Sequence, residues 1–308
     1  MKLLIELPTW LGDCVMATPA IENIVNFDNE VEITFIGSFV AIEAMKNHPK
    51  VVKTVVLSKK YTDLVKISRE LGEFDAFFSF RSSFRSKFLK FLISAKNKYQ
   101  FDKNRYINCH QVEKYNNFVN DSLSINSTAG KLSLPIISRQ LSTNKTVGLN
   151  PGASYGSAKR WYPQEFAKVA SELSRQYDIV IFGGPGEVDI ANDIEKSLVK
   201  NGVKNYQNLA GKTSISALIN QISNLDLFIT GDSGPMHVAA AFQVPTVAIF
   251  GPTKDDETSQ WMNEKSIIVK KGLDCQPCMK RTCPLQHHNC MNLIKATDVL
   301  KVVEDDIT

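Results

Sequence analysis

The chain has 308 residues, 43% of them hydrophobic and 22% charged, with a formal net charge of +4. These are the proportions of an ordinary globular protein of about two domains. They exclude a disordered chain, a core that depends on metal or disulfides, and a nucleic-acid binder defined by bulk positive charge.

The N-terminal run Met1 to Pro8 is too short for a signal peptide, carries Glu6 in its middle and is not followed by a small-residue cleavage site. No window approaches the roughly 18 apolar residues of a membrane-spanning helix. The expectation is a cytoplasmic protein that meets a membrane, if at all, only from its inner face.

Strand patterns fall at Leu3–Leu7, Glu32–Ile36, Val51–Leu57 and Phe74–Phe80, and helical periodicity at Pro19–Phe27, Ile42–Asn47, Tyr61–Leu71 and Phe84–Ser94. After a polar stretch, with a linker read over 138–145, a second alternation begins. Its strands are Thr146–Leu149, Asp178–Phe182, Asp226–Thr230 and Pro245–Phe250. Its helices are Pro163–Gln176, Val188–Lys200, Ile215–Ser223 and Pro235–Phe242. Strand–helix alternation dictates parallel strands with right-handed crossovers. The fold class is therefore α/β: two Rossmann-like doubly wound domains, 1–143 and 144–308, expected to face each other across a cleft.

In such sheets ligands bind beyond the carboxyl ends of the strands. Four glycine loops fall there in the second half: Asn150–Ser154, Gly183–Glu187, Gly231–Gly234 and Gly251–Thr253. The third runs Gly231-Asp232-Ser233-Gly234-Pro235-Met236-His237 into a helix, which aims N–H groups and a positive dipole end at an anion. Lys159 and Arg160 add cationic charge beside the first loop. Glu187 either accepts from ribose hydroxyls or serves a helix N-terminus. His237 is either a site residue or a packed helix histidine. There is no complete phosphate-binding Gly-x4-Gly-Lys-Ser/Thr sequence and no Gly-x-Gly-x-x-Gly after the first strand. In the first half, Pro8-Thr9-Trp10-Leu11-Gly12-Asp13 also follows a strand. Asp13 at a helix start is either a cap or a carboxylate kept ionised by the dipole for proton abstraction. Trp10 and Trp161 either stack on a ligand or pack in the core.

Arg81 to Arg105 holds eight cations against Asp102 alone. It reads either as a solvated helix face or as a surface for an acidic substrate or an anionic membrane. Cys275, Cys278, Cys283 and Cys290, beside His287 and His288, suit zinc in number but not in spacing. Thiols that only pack, zinc, and disulfides remain open, with packing favoured. Cys14 and Cys109 are expected to be buried.

Four stretches resemble the heptosyltransferases of glycosyltransferase family 9. They are Pro8 to Ala20, Gly152 to Trp161, Leu209 to Ser214 and Gly231 to His237. The tryptophan before Leu-Gly-Asp and the cysteine-rich tail favour the heptosyltransferase II branch. The resemblance implies a GT-B fold, inverting transfer of heptose from ADP-heptose to the inner core of lipopolysaccharide, and no required cofactor or metal. The implied acceptor is lipid A–Kdo–heptose, held by the N-terminal domain at the inner membrane. Asp13 would be the general base. Ser154, Lys159, Glu187, Asp232, Ser233, Gly234 and His237 would bind the donor. Thr9, Trp10, Gly12, Arg81 and Arg85 would bind the acceptor. Action on Kdo, as in heptosyltransferase I, a GT-B epimerase, and a binding protein without turnover are the alternatives.

Overall fold

The computed structural model describes residues 1–135 and 144–306. It divides into two compact units, Met1–Ile137 and Ser138–Thr308. The boundary expected between 143 and 144, and most of the linker at 138–145, lie outside the described residues.

The first unit runs β1 (Lys2–Glu6), α1 (Leu11–Met16), α2 (Thr18–Phe27), β2 (Glu32–Gly37), α3 (Phe39–Met45), β3 (Val51–Val56), α4 (Tyr61–Leu71), β4 (Glu73–Ser79), α5 (Phe84–Leu92), β5 (Ser94–Gln100) and α6 (Gln111–Leu123). Its five strands are parallel, in the order β3-β2-β1-β4-β5. The order reverses beside β1, so the β1–α1 and β4–α5 loops stand next to each other at the sheet's carboxyl edge. Leu4, Ile36, Leu64, Phe77 and Leu89 pack on one face of the sheet. Phe78, Phe80, Phe101, Tyr115 and Phe118 form an edge-to-face aromatic cluster under α6. Ser38 and Ser83 cap α3 and α5 by accepting from Ala41 N and Ser86 N.

The second unit runs β6 (Thr146–Asn150), α7 (Pro163–Leu173), β7 (Asp178–Ile181), α8 (Val188–Lys200), β8 (Tyr206–Asn208), α9 (Ile215–Ile222), β9 (Leu227–Gly231), α10 (Gly234–Ala241), β10 (Thr246–Ile249), α11 (Asp255–Thr258), β11 (Ser266–Val269), α12 (Asn289–Asn292) and α13 (Ala296–Asp306). Its six parallel strands follow the order β11-β10-β9-β6-β7-β8. Here the reversal lies beside β6, so the loops after β6 and β9 meet at the carboxyl edge. One core joins the sheet to α7, α8 and α13. Trp161, 1% exposed, belongs to it and donates its indole N–H to Ile294 O at 2.9 Å. Of its two readings, packing holds.

The expected elements are all present within a few residues. The structure adds α1, β5, α6, β8, β11 and the three C-terminal helices. The cations from Arg81 to Arg105 therefore do not share one helix face. They spread over the loop before α5, α5 itself, the edge strand β5 and the loop beyond it. Cys14 is buried as expected, but Cys109 is partly exposed.

Candidate functional site

In the second unit, the loop after β6 and the loop after β9 are joined by charge. Lys159 Nζ lies 2.5 Å from Asp232 Oδ2 and 3.4 Å from Asp232 O. Thr253, from the loop after β10, donates its hydroxyl to the same carboxylate oxygen at 2.6 Å. Both charged groups are largely withdrawn from water, with side-chain exposures of 12% for Lys159 and 5% for Asp232. The ammonium also stands 4.8 Å from the Tyr155 ring centroid, a favourable cation–π placement. A compact, strongly held cation therefore sits at the carboxyl edge, beside the α10 N-terminus.

Below it, Asn150 at the end of β6 donates to Ser233 Oγ at 3.2 Å and Thr230 Oγ1 at 3.4 Å. The Thr230 and Ser233 hydroxyls are 3.1 Å apart. Ser233 is the N-cap of α10 and its side chain makes no cap bond. It is turned into this partly buried triad instead. Pro235, near the helix start, gives up no needed hydrogen bond. His237 is buried on α10, and Ser154 is exposed on its loop.

Glu187 serves its helix start: its carboxylate accepts from Gly184 N at 2.8 Å. The same carboxylate lies against Gly152, where an added Cβ would come within 2.0 Å of it. Glycine at 152 is thus what lets the loops after β6 and β7 close on each other. Glu187 remains partly exposed and available to a hydroxylated ligand.

In the first unit, Asp13 is in the first turn of α1, whose other five residues are buried. Burial of those five fixes the helix in place. Its charge is felt by Tyr115: burial first, and then Asp13, push the phenol well above its ordinary pKa. Gly12 is buried, Thr9 half-buried, and Trp10 is 59% exposed. Trp10 is therefore no core residue, unlike Trp161. Thr9 O accepts from Ser38 Oγ at 2.8 Å, which ties the β1 and β2 loops together.

Arg81 and Arg85 stand at the same edge. Arg81 Nη1 is 3.3 Å from Glu6 Oε1, and Arg85 Nη2 donates to Ser58 O. Glu6 escaped the sequence reading. It is fully buried at the end of β1 and accepts from Ser79 Oγ at 2.6 Å and Ser86 Oγ at 2.9 Å. An acid inside an apolar strand was the available signal, since such groups are almost never buried without partners. Burial raises its pKa, with the Ser79 bond and the Arg81 charge acting the other way. The native state therefore holds this proton at pH values where the unfolded chain has released it. Its contribution to stability falls as pH rises from the ordinary 4.5 through the raised native value. Glu6→Gln is expected to flatten that slope, as read by thermal unfolding across this range. An unchanged slope would refute the assignment.

Cys275, Cys278, Cys283 and Cys290 are free thiols that line a small cavity of about 20 Å³ with His287 and His288. Burial, then the three neighbouring cysteines, push the Cys290 thiol up to about 11. Among the described residues no three His, Cys, Asp or Glu side chains are grouped so as to hold a metal ion. The segment braces the loops after β6 and β10. Ala158 N donates to Arg281 O, Met279 N to Pro252 O, and Gln276 Nε2 to Gly251 O.

Two doubly wound parallel units with glycine loops at their carboxyl edges are the components of a GT-B fold. The family described as glycosyltransferase family 9 (heptosyltransferase) matches residues 64–289. Lipooligosaccharide heptosyltransferase 2 of Campylobacter jejuni subsp. jejuni serotype O:2 is 45% identical, over 98% of this chain and 97% of its own length. The structure of the E. coli ADP-heptose lipopolysaccharide heptosyltransferase II superposes with a TM-score of 0.83 at 20% identity, covering 100% of this chain and 98% of that one. An E. coli heptosyltransferase solved with ADP-2-deoxy-2-fluoro heptose gives 0.79 at 14% identity, over 99% of both chains. This chain belongs to glycosyltransferase family 9 and is a heptosyltransferase.

Proposed function

We infer that this chain transfers heptose from ADP-heptose, with inversion, to the first heptose of a lipid A–Kdo–heptose acceptor, as heptosyltransferase II enzymes do. The observation that carries the reading is the whole-length likeness to a relative named for that activity. The buried Lys159–Asp232–Thr253 cluster supports it from the chemistry of the donor side.

Asp13 takes the proton of the acceptor hydroxyl. The oxygen attacks the anomeric carbon as the bond to the β-phosphate oxygen breaks, and ADP departs with both electrons of that bond. Lys159 and the main-chain N–H groups of Ser233 and Gly234 stabilise the charge that grows on the diphosphate. This route needs no resident cofactor or metal. Asp232 orients both Lys159 and the heptose, Glu187 meets the ribose, and Ser154 and His237 complete the donor pocket. Thr9, Trp10, Gly12, Arg81 and Arg85 receive the acceptor, whose carboxylates and phosphates suit guanidinium groups.

The lipid-linked acceptor places the working enzyme on the cytoplasmic face of the inner membrane. Among the described residues no helix is long and apolar enough to cross one. Incubation with ADP-heptose and a series of truncated cores tests the reading. Mass analysis should show one added heptose only on acceptors that already carry the first. Transfer only to Kdo-terminated cores, or to none, would overturn it.

A further inference from the structure

The outward stripe of α5 is built the wrong way for a helix facing only water. The helix buries Ser86 and Leu89, yet Phe84 and Phe91 are 79% and 80% exposed, and exposed Lys87 lies between them. Positions 84, 87 and 91 share one face of a 3.6-residue helix. Single exposed hydrophobic side chains need no explanation, but a contiguous aromatic patch marks an interaction surface. This one continues onto the neighbouring helix. Tyr61, at the start of α4 and itself exposed, meets the half-buried Phe88 at 5.6 Å between ring centroids. Lys59 and Lys60 stand exposed just before it.

The charge along α5 and the strand after it has one sign. Between Asp75 and Asp102 the sequence holds six cations (Arg81, Arg85, Lys87, Lys90, Lys96 and Lys98) and no acid. Lys96 is drawn to Asp75 at 2.7 Å, and Arg81 and Arg85 are held at the sheet edge by Glu6 and Ser58. Lys59, Lys60, Lys87 and Lys90 remain around the aromatic stripe. The nearby Asp63 accepts from Ser58 at 2.5 Å, and Glu70 at the far end of α4 pairs with Lys66.

Protruding aromatic rings ringed by lysines are the chemistry of an anionic lipid surface: rings enter the acyl boundary while ammonium groups stay with the headgroups. We propose that the Phe84–Lys87–Phe91 face of α5, with Tyr61, Lys59 and Lys60, is the membrane-docking surface of this enzyme and that it selects anionic phospholipid. This rests on the proposed lipid-linked acceptor. It adds the surface that carries the enzyme there, separate from the residues that hold the sugar. Because α5 starts just after the β4 loop, docking through this face would bring Arg81 and Arg85 close to the headgroups.

The test is sedimentation of the full-length protein with vesicles of phosphatidylethanolamine and phosphatidylglycerol, against phosphatidylcholine alone. The expected result is binding to the first, weakened by salt, and little to the second. Phe84→Ser/Phe91→Ser should lower binding on the order of tenfold or more, and Lys87→Glu/Lys90→Glu should abolish the lipid preference. Both double variants should turn over a soluble, deacylated acceptor at the wild-type rate, which also reports that they fold. Equal binding to both lipids, or anionic binding unaltered by the serine pair, would overturn the proposal, the latter by reducing the effect to bulk charge. If the wild type binds vesicles as expected but leaves every soluble acceptor unmodified, the functional reading fails and the docking surface stands.

Discussion

Asp13→Asn is expected to lower turnover by about 10²–10⁴-fold, the usual contribution of a positioned general base, while ADP still binds with about wild-type affinity. The expectation comes from the build of α1. Leu11, Gly12, Cys14, Val15 and Met16 are all buried, so the helix is fixed and Asp13 is its one residue that is not fully buried. Asparagine keeps the shape and removes the basic oxygen. The structural cost is small: a first-turn carboxylate gains roughly 0.3–1 kcal/mol from the helix dipole. Loss of activity with a nearly unchanged melting temperature would therefore report chemistry and not folding. Initial rates with saturating donor and acceptor, with calorimetry of ADP on the same preparation, make the measurement. Near-normal turnover would remove Asp13 from the mechanism.

The alternation that produces two doubly wound units was legible because buried parallel strands read as apolar runs and their crossover helices as 3.6-residue periods. Tyr61–Leu71 and Val188–Lys200 were found with their full bounds. The strand Ser94–Gln100 was not. It is the edge strand of its sheet, and its lysines and polar residues, which protect such an edge, erase the apolar signal. Tyr206–Asn208 is only three residues long. The site was legible where a loop pattern carried it, as at Asp13 and Gly231–Gly234. It was not legible where a partner comes from far along the chain. The Gly251–Thr253 loop reads as a neighbour at the same edge, but nothing marks Thr253 as the partner of Asp232, and nothing near Arg81 announces Glu6, 75 residues away. Trp10 and Trp161 look alike in sequence, yet only the first is exposed, because the second finds an acceptor for its N–H at Ile294.

Lys159→Met is the second large effect, and it must be separated from its own structural damage. Methionine keeps most of the stem and removes the ammonium. That leaves the Asp232 carboxylate, 5% exposed, with the Thr253 hydroxyl but without its cation. Breaking a buried pair from one side typically costs about 3–5 kcal/mol, because the remaining charge is uncompensated. Lys159 retains some access to water, so we expect the lower end of that range or somewhat less, read as a melting temperature depressed by several degrees. Adding Asp232→Asn removes the stranded charge. The double variant Lys159→Met/Asp232→Asn should therefore recover most of the lost stability. It should not recover function: both variants should turn over about 10²–10³-fold more slowly, as expected when a donor to a developing anion is lost, and both should bind ADP more weakly. Stability returning without activity assigns the cation to the departing diphosphate. Activity returning together with stability would make the pair a scaffold only and move the stabilising charge elsewhere on the loop.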